Sequence, residues 1–80
     1  MTDKLEVLRE YIRTEIGYDG DVGADVDLLE SRILDSFSIV QMAVFIQERF
    51  EVELDADDLV RANLCRLTAM VAMIDRKLAA

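Results

Sequence analysis

Eighty residues that are 52% hydrophobic suffice for one small core, and a net charge of −8 repels nucleic-acid phosphates and anionic membranes. One cysteine permits no internal disulfide, and the lack of histidine removes Ser-His-Asp, Cys-His and thiolate–imidazole zinc chemistry. No segment has the pattern of a signal peptide and no apolar run reaches spanning length. The expectation is one cytoplasmic domain over residues 1–80, without a nucleic-acid partner or a membrane span.

Residues 3–16 predict an amphipathic helix, with Leu5, Leu8, Ile12 and Ile16 as its stripe and Val7 and Tyr11 beside it. Thr2 or Asp3 supplies a cap, and Gly17 is the stop signal. Residues 17–34 hold all the glycines and many acids, which reads as a long loop pinned to the core by Val22, Val26, Leu28, Leu29, Ile33 and Leu34. A loop this long in a small domain tends to be functional. The second helix should run from Ser36 to Phe50, with Ile39, Met42, Ala43, Ile46 and Phe50 inward. In residues 51–56, Val52 and Leu54 alternate with acids, but one short strand without a partner is not stable. A short helical turn is expected over 57–61 with Leu59 and Val60 as its apolar contribution. The last helix, 64–78, carries Leu64, Leu67, Val71, Ile74 and Leu78 on one face. The sum is an all-α, small four-helix bundle: three main helices, one short helix, and a long loop after the first.

Acids crowd residues 17–35 and 51–59, while the last twenty residues lean basic, a pattern that solvated loops explain. The segment "DGDVGADVDLLE", residues 19–30, has the length of a calcium loop, with Asp19, Asp21, Asp27 and Glu30 at ligand-like positions. Gly23 supplies no side-chain oxygen at the fifth position, and Ala24 replaces the glycine that the sharp turn requires, so no metal site is expected. Cys65 reads as a small, semi-buried apolar residue rather than a reactive thiol, and Met42, Met70 and Met73 as core filler. Catalysis by this chain alone is not expected.

Ser36 is different. It stands at a helix entrance, either as the N-cap or next to a cap made by Asp35. Free backbone N–H groups and the positive end of the helix dipole favour an anion attached at its oxygen. Physics permits a phosphoryl-linked group there without demanding one.

"LDSFSIVQMAVFIQERFEVEL", residues 34–54, resembles the prosthetic-group segment of acyl carrier proteins, and "DDLVRANLCRLTAMVAMI", residues 57–74, resembles the tail of aminoacyl and peptidyl carriers. The likeness extends to the order helix, long loop, helix, short helix, helix. It implies that Ser36 receives 4′-phosphopantetheine from coenzyme A, with Asp35 in support; Ser31 and Ser38 do not fit the motif position. Implied partners are a Mg2+-dependent phosphopantetheinyl transferase, an acyl- or aminoacyl-activating ligase and a downstream transferase, acting on a monomeric carrier. Phe37 stands where leucine or methionine is usual, and no Gly-Gly precedes Asp-Ser. Fatty-acid carriers of the family have an acidic second helix, whereas here the exposed positions are Phe37, Val40, Gln41, Val44, Gln47 and Glu48. Val40-Gln41 is closer to D-alanyl and related aminoacyl carriers, which implies a free-standing specialised carrier with those six residues as its docking face. A calcium-binding module and a plain helical interaction domain are the alternatives; the residues do not name the cargo.

Overall fold

A computed structural model describes residues 3–20 and 22–79. Helix α1 (Lys4–Tyr11) starts where Asp3 accepts a bond from the Leu5 N–H at 3.3 Å; Thr2, the other expected cap, lies outside the described residues. The helix continues as a wider π turn over Ile12–Ile16 and stops at Gly17, whose φ of 87° few other residues adopt easily. Regular α-helix was expected through 16. The Thr14 hydroxyl donates to the Glu10 carbonyl at 2.9 Å, competing for an acceptor of the regular ladder in the turn that widens.

Helix α2 spans Ser36–Phe50, as expected, with Met42, Ala43 and Ile46 buried and Ile39 and Phe50 packed at the margin. Helix α3 (Arg61–Leu64) and helix α4 (Leu67–Ala79) complete four helices among the described residues, which contain no strand. Helix α4 packs against both α1 and α3, and Leu8 of α1 and Ile12 of the π turn meet its buried residues in one core. Val52 and Leu54 close the core from the irregular α2–α3 connection. The Cα radius of gyration is 11.5 Å, matching the value of about 12 Å for a compact chain of this length.

Three expectations are corrected. The turn foreseen over 57–61 forms earlier, because the Asp58 carboxylate accepts from the Asp55 N–H at 3.0 Å and closes a separate turn. The short helix therefore begins at Arg61 and buries Leu64, while Leu59 and Val60 remain 48% and 44% exposed. The last helix starts at Leu67 rather than 64, since Cys65 and Arg66 form a bend whose Cys65 carbonyl accepts the Leu28 N–H at 2.6 Å. Its core face is Leu67, Met70, Met73 and Ile74; Val71 is only partly buried and Leu78 is exposed. Cys65 is fully buried, and the three methionines fill the core.

The long loop is tied down along its length. Val22, Leu28 and Leu34 are buried, Leu29 and Ile33 are half-buried, and Val26 faces out instead of pinning the loop. The Val22 carbonyl accepts from Arg9 Nε at 3.0 Å, and the Ala24 carbonyl accepts the Thr68 N–H at 3.2 Å, satisfying a free donor in the first turn of α4. Thr68 also donates its hydroxyl to Asp25 at 3.1 Å.

Asp27 joins this loop to α3. Its carboxylate accepts the Leu29 and Glu30 N–H groups at 3.1 and 2.9 Å and faces Arg61 at 3.4 Å. The Glu30 N–H first, then Arg61 and Leu29, hold the carboxyl below its ordinary value of 3.8 against an opposing desolvation. A lowered folded-state pKa stabilises the protein fully above that ordinary value and ceases to do so as pH falls through the folded one. Asp27→Asn should therefore melt below wild type at neutral pH, and the gap should close under acid below about pH 4. Melting curves of the pair across pH check this; a gap that persists in acid contradicts it.

Candidate functional site

The entrance of α2 is built by Asp35. Its backbone is extended (φ −111°, ψ −175°), and its Oδ1 accepts the Ser38 N–H at 2.8 Å. That N–H, followed by the Ser38 hydroxyl, holds the Asp35 carboxyl below the ordinary carboxylate range. The cap is thus Asp35, and Ser36 is the first helical residue.

The other two candidate serines are engaged. Ser31 donates its hydroxyl to the Asp27 carbonyl at 2.7 Å, and Ser38 is half-buried with its backbone N–H held by the cap. Ser36 is exposed, and its hydroxyl enters no hydrogen bond among the described residues. The first turn of α2 contains no acid beyond the Asp35 cap, so its remaining N–H groups and the helix dipole favour an anion on Ser36 against the one adjacent carboxylate. An exposed oxygen at such an end fits a phosphodiester-linked group, which needs a reachable nucleophile and gains from the helix dipole.

Below Ser36, one face of α2 is apolar and open. Phe37, Val40 and Val44 are 71%, 59% and 47% exposed. Glu48 lies at the far end of this face, and Gln41 is half-buried beside it. Gln47, half-buried beside the same face, also accepts the Leu54 N–H at 3.0 Å and fastens α2 to the following connection. A cleft of about 210 Å³ opens between Val40, Ala43 and Val44 on one side and Leu59 and Leu64 on the other. Sequence reasoning missed Leu59 and Val60 as surface residues by placing them inside a helix; the Asp55–Asp58 spacing, which permits a closed turn, was the available signal.

Among the described residues, the calcium-like side chains are not gathered into a site. Asp27 is occupied by backbone N–H groups and Arg61, Asp19 lies beside Arg9 and Arg13, and Asp21 falls outside the described residues. Among the described residues there is no cluster of three or more metal-ligating side chains. No helix among them is long and apolar enough to cross a membrane.

Comparison with known proteins agrees with this geometry. The family model described as "Phosphopantetheine attachment site" matches residues 6–74. The D-alanyl carrier protein of Bacillus mycoides is 39% identical over 57 residues, covering 71% of this chain and 68% of the relative. That of Bacillus cereus is 37% identical over the same length and coverage. No solved structure gives a significant match. With most of its length matched, this chain belongs to the phosphopantetheine-attachment family of carrier proteins.

Proposed function

We propose that the protein carries 4′-phosphopantetheine, donated by coenzyme A, on Ser36 and presents a thioester-bound acyl or aminoacyl group to successive enzymes. The observation that carries this reading is the exposed Ser36 hydroxyl in the acid-free first turn of α2, directly after the Asp35 cap. The names of the relatives favour D-alanine among possible cargoes. The prosthetic group supplies a thiol on a flexible arm. The protein's own residues do the remaining work, and none of it is catalytic. Asp35 sets the backbone so that Ser36 Oγ points away from the core. The helix end meets the phosphate charge, and the folded bundle acts as a tether that raises the local concentration of cargo at each partner.

The partners in this reading are a phosphopantetheinyl transferase, an aminoacyl-activating ligase and a downstream transferase, meeting a monomeric cytoplasmic carrier of one domain. Incubation with coenzyme A, Mg2+ and a broad-specificity transferase, read by intact mass, tests the first step. One added phosphopantetheine is expected; an unmodified chain would leave a plain helical interaction domain. Incubation of the modified protein with ATP, a D-alanine-activating ligase and D-alanine then tests the cargo.

The exposed apolar face of α2 directs the loading step. An aromatic anchor buried in an interface often dominates affinity, whereas one exposed rim charge contributes little. Phe37→Ala is therefore expected to slow ligase loading of the modified carrier by about tenfold, more than Glu48→Gln does. Thioester formation measured on pre-modified variants separates loading from priming. A larger defect for Glu48→Gln, or a steep loss on adding moderate salt, would place charge in control.

A further inference from the structure

A second surface lies on the opposite flank of α2, where it meets α1. Tyr11 and Phe45 stack there, with ring centroids 4.0 Å apart and planes 23° from parallel. Both rings are half-buried, so they form the floor of a shallow trough rather than part of the sealed core. The trough opens on both sides of the ring pair, and on one side it runs to Val40 and Val44 and joins the exposed face of α2.

Its walls carry one sign of charge. Glu15 and Glu48 flank the rings, and no basic side chain lines either opening. Glu6 and Glu10 also border it, but Arg9 and Arg13 pair with them along α1. Glu15 and Glu48 form no ion pair among the described residues. Both carboxylates act on Tyr11: after desolvation, they are what raises its hydroxyl above the ordinary value. The π turn at Ile12–Ile16 supplies Thr14 and Glu15 to this wall, so the one irregular turn of the first helix borders the trough. Such turns often occur at functional sites.

We propose that this trough is a docking groove for a basic segment of a partner protein, with an arginine guanidinium over the Tyr11–Phe45 pair between Glu15 and Glu48. Arginine fits both features at once. Its planar cation stacks on aromatic faces, and its fork of N–H donors pairs with carboxylates. An apolar neighbour in the same segment would continue onto Val40 and Val44. The groove is a second contact, separate from the Ser36 end of α2, and it does not depend on Ser36 being the attachment point.

The test uses the full-length, 15N-labelled protein and two peptides of alternating arginine and leucine, one with citrulline in place of every arginine. In an NMR titration, the arginine peptide should shift the amides of Tyr11, Thr14, Glu15, Phe45 and Glu48, and the citrulline peptide should bind at least about tenfold more weakly. The double variant Glu15→Gln/Glu48→Gln should lose a comparable factor. Both positions are exposed, so the variant keeps its fold, which its unperturbed core amides will confirm. Glu51→Gln/Asp57→Asn removes two exposed acids elsewhere and should change affinity less than about twofold. Equal losses in the two double variants would mean attraction to overall negative charge. Equal binding of the citrulline peptide, or shifts centred on the 51–58 acids, would overturn the groove as well.

Discussion

Ser36→Ala is expected to abolish the addition of phosphopantetheine, while Ser31→Ala and Ser38→Ala should retain it. The structure separates the three hydroxyls on physical grounds. Ser31 is bonded to the Asp27 carbonyl, Ser38 is half-buried beside the cap, and Ser36 alone of the three is exposed without a hydrogen bond among the described residues. Ser38→Ala keeps the backbone N–H that Asp35 accepts, so the helix entrance retains its geometry. Had Ser36 been the cap, its loss would have cost about 0.5–2 kcal/mol. Because Asp35 is the cap, Ser36→Ala should change stability by less than about 0.5 kcal/mol. Intact-mass spectra before and after incubation with coenzyme A and transferase give the readout, and circular dichroism shows whether the variant is folded. Modification that survives in folded Ser36→Ala protein would assign the group to another residue.

The parts of this fold that were legible in the sequence are those governed by local chemistry. Asp35 before an apolar helical run marked the start of α2, and the run carried it to Phe50. Gly17 marked the end of the first helix through its positive φ. What escaped was set by contacts distant in sequence. The bend at Cys65 accommodates a bond from Leu28, which no reading of residues 61–67 alone could supply. Met70 and Met73 fill the core as expected, but the α4 stripe was drawn through Val71 and Leu78, and the bundle leaves Val71 partly buried and Leu78 at the surface. Leu67 and Ile74 belong to both the expected and the observed face, so periodicity could not choose between Val71 and Leu78 on one flank and Met70 and Met73 on the other. At the site, the exposure of Phe37, Val40 and Val44 was legible from the inward stripe of α2, because a helix has only one core-facing side. Gln47 was not legible in the same way, since its partner, the Leu54 N–H, belongs to the next segment. The Tyr11–Phe45 trough likewise needs two helices to be placed together before it exists.

Leu28→Ala should destabilise the protein more than any surface change considered above, by about 2–5 kcal/mol, the range for truncating a buried leucine. Leu28 is 0% exposed although it sits in a loop, and its side chain belongs to the same core as the helices. Its backbone N–H reaches the Cys65 carbonyl at 2.6 Å, and its carbonyl accepts the Leu34 N–H at 3.0 Å. Alanine keeps both backbone bonds, so the loss isolates side-chain packing. For a domain of this size each kcal/mol moves the melting temperature by about 4–8 °C, which places the variant at least about 8 °C below wild type. Leu78→Ala is the control: its side chain is 52% exposed, and its cost should stay within about 0.5 kcal/mol. The two substitutions remove the same atoms, so only burial distinguishes them. Well below its melting point, the Leu28→Ala protein should still accept phosphopantetheine at Ser36, because the Asp35–Ser38 cap lies outside the cavity. A melting temperature equal to wild type would mean that the loop rests on the core without contributing to it. Normal folding with lost modification would mean instead that residues 28–34 hold the helix entrance in position for the transferase, a tighter coupling between loop and site than backbone bonds alone provide.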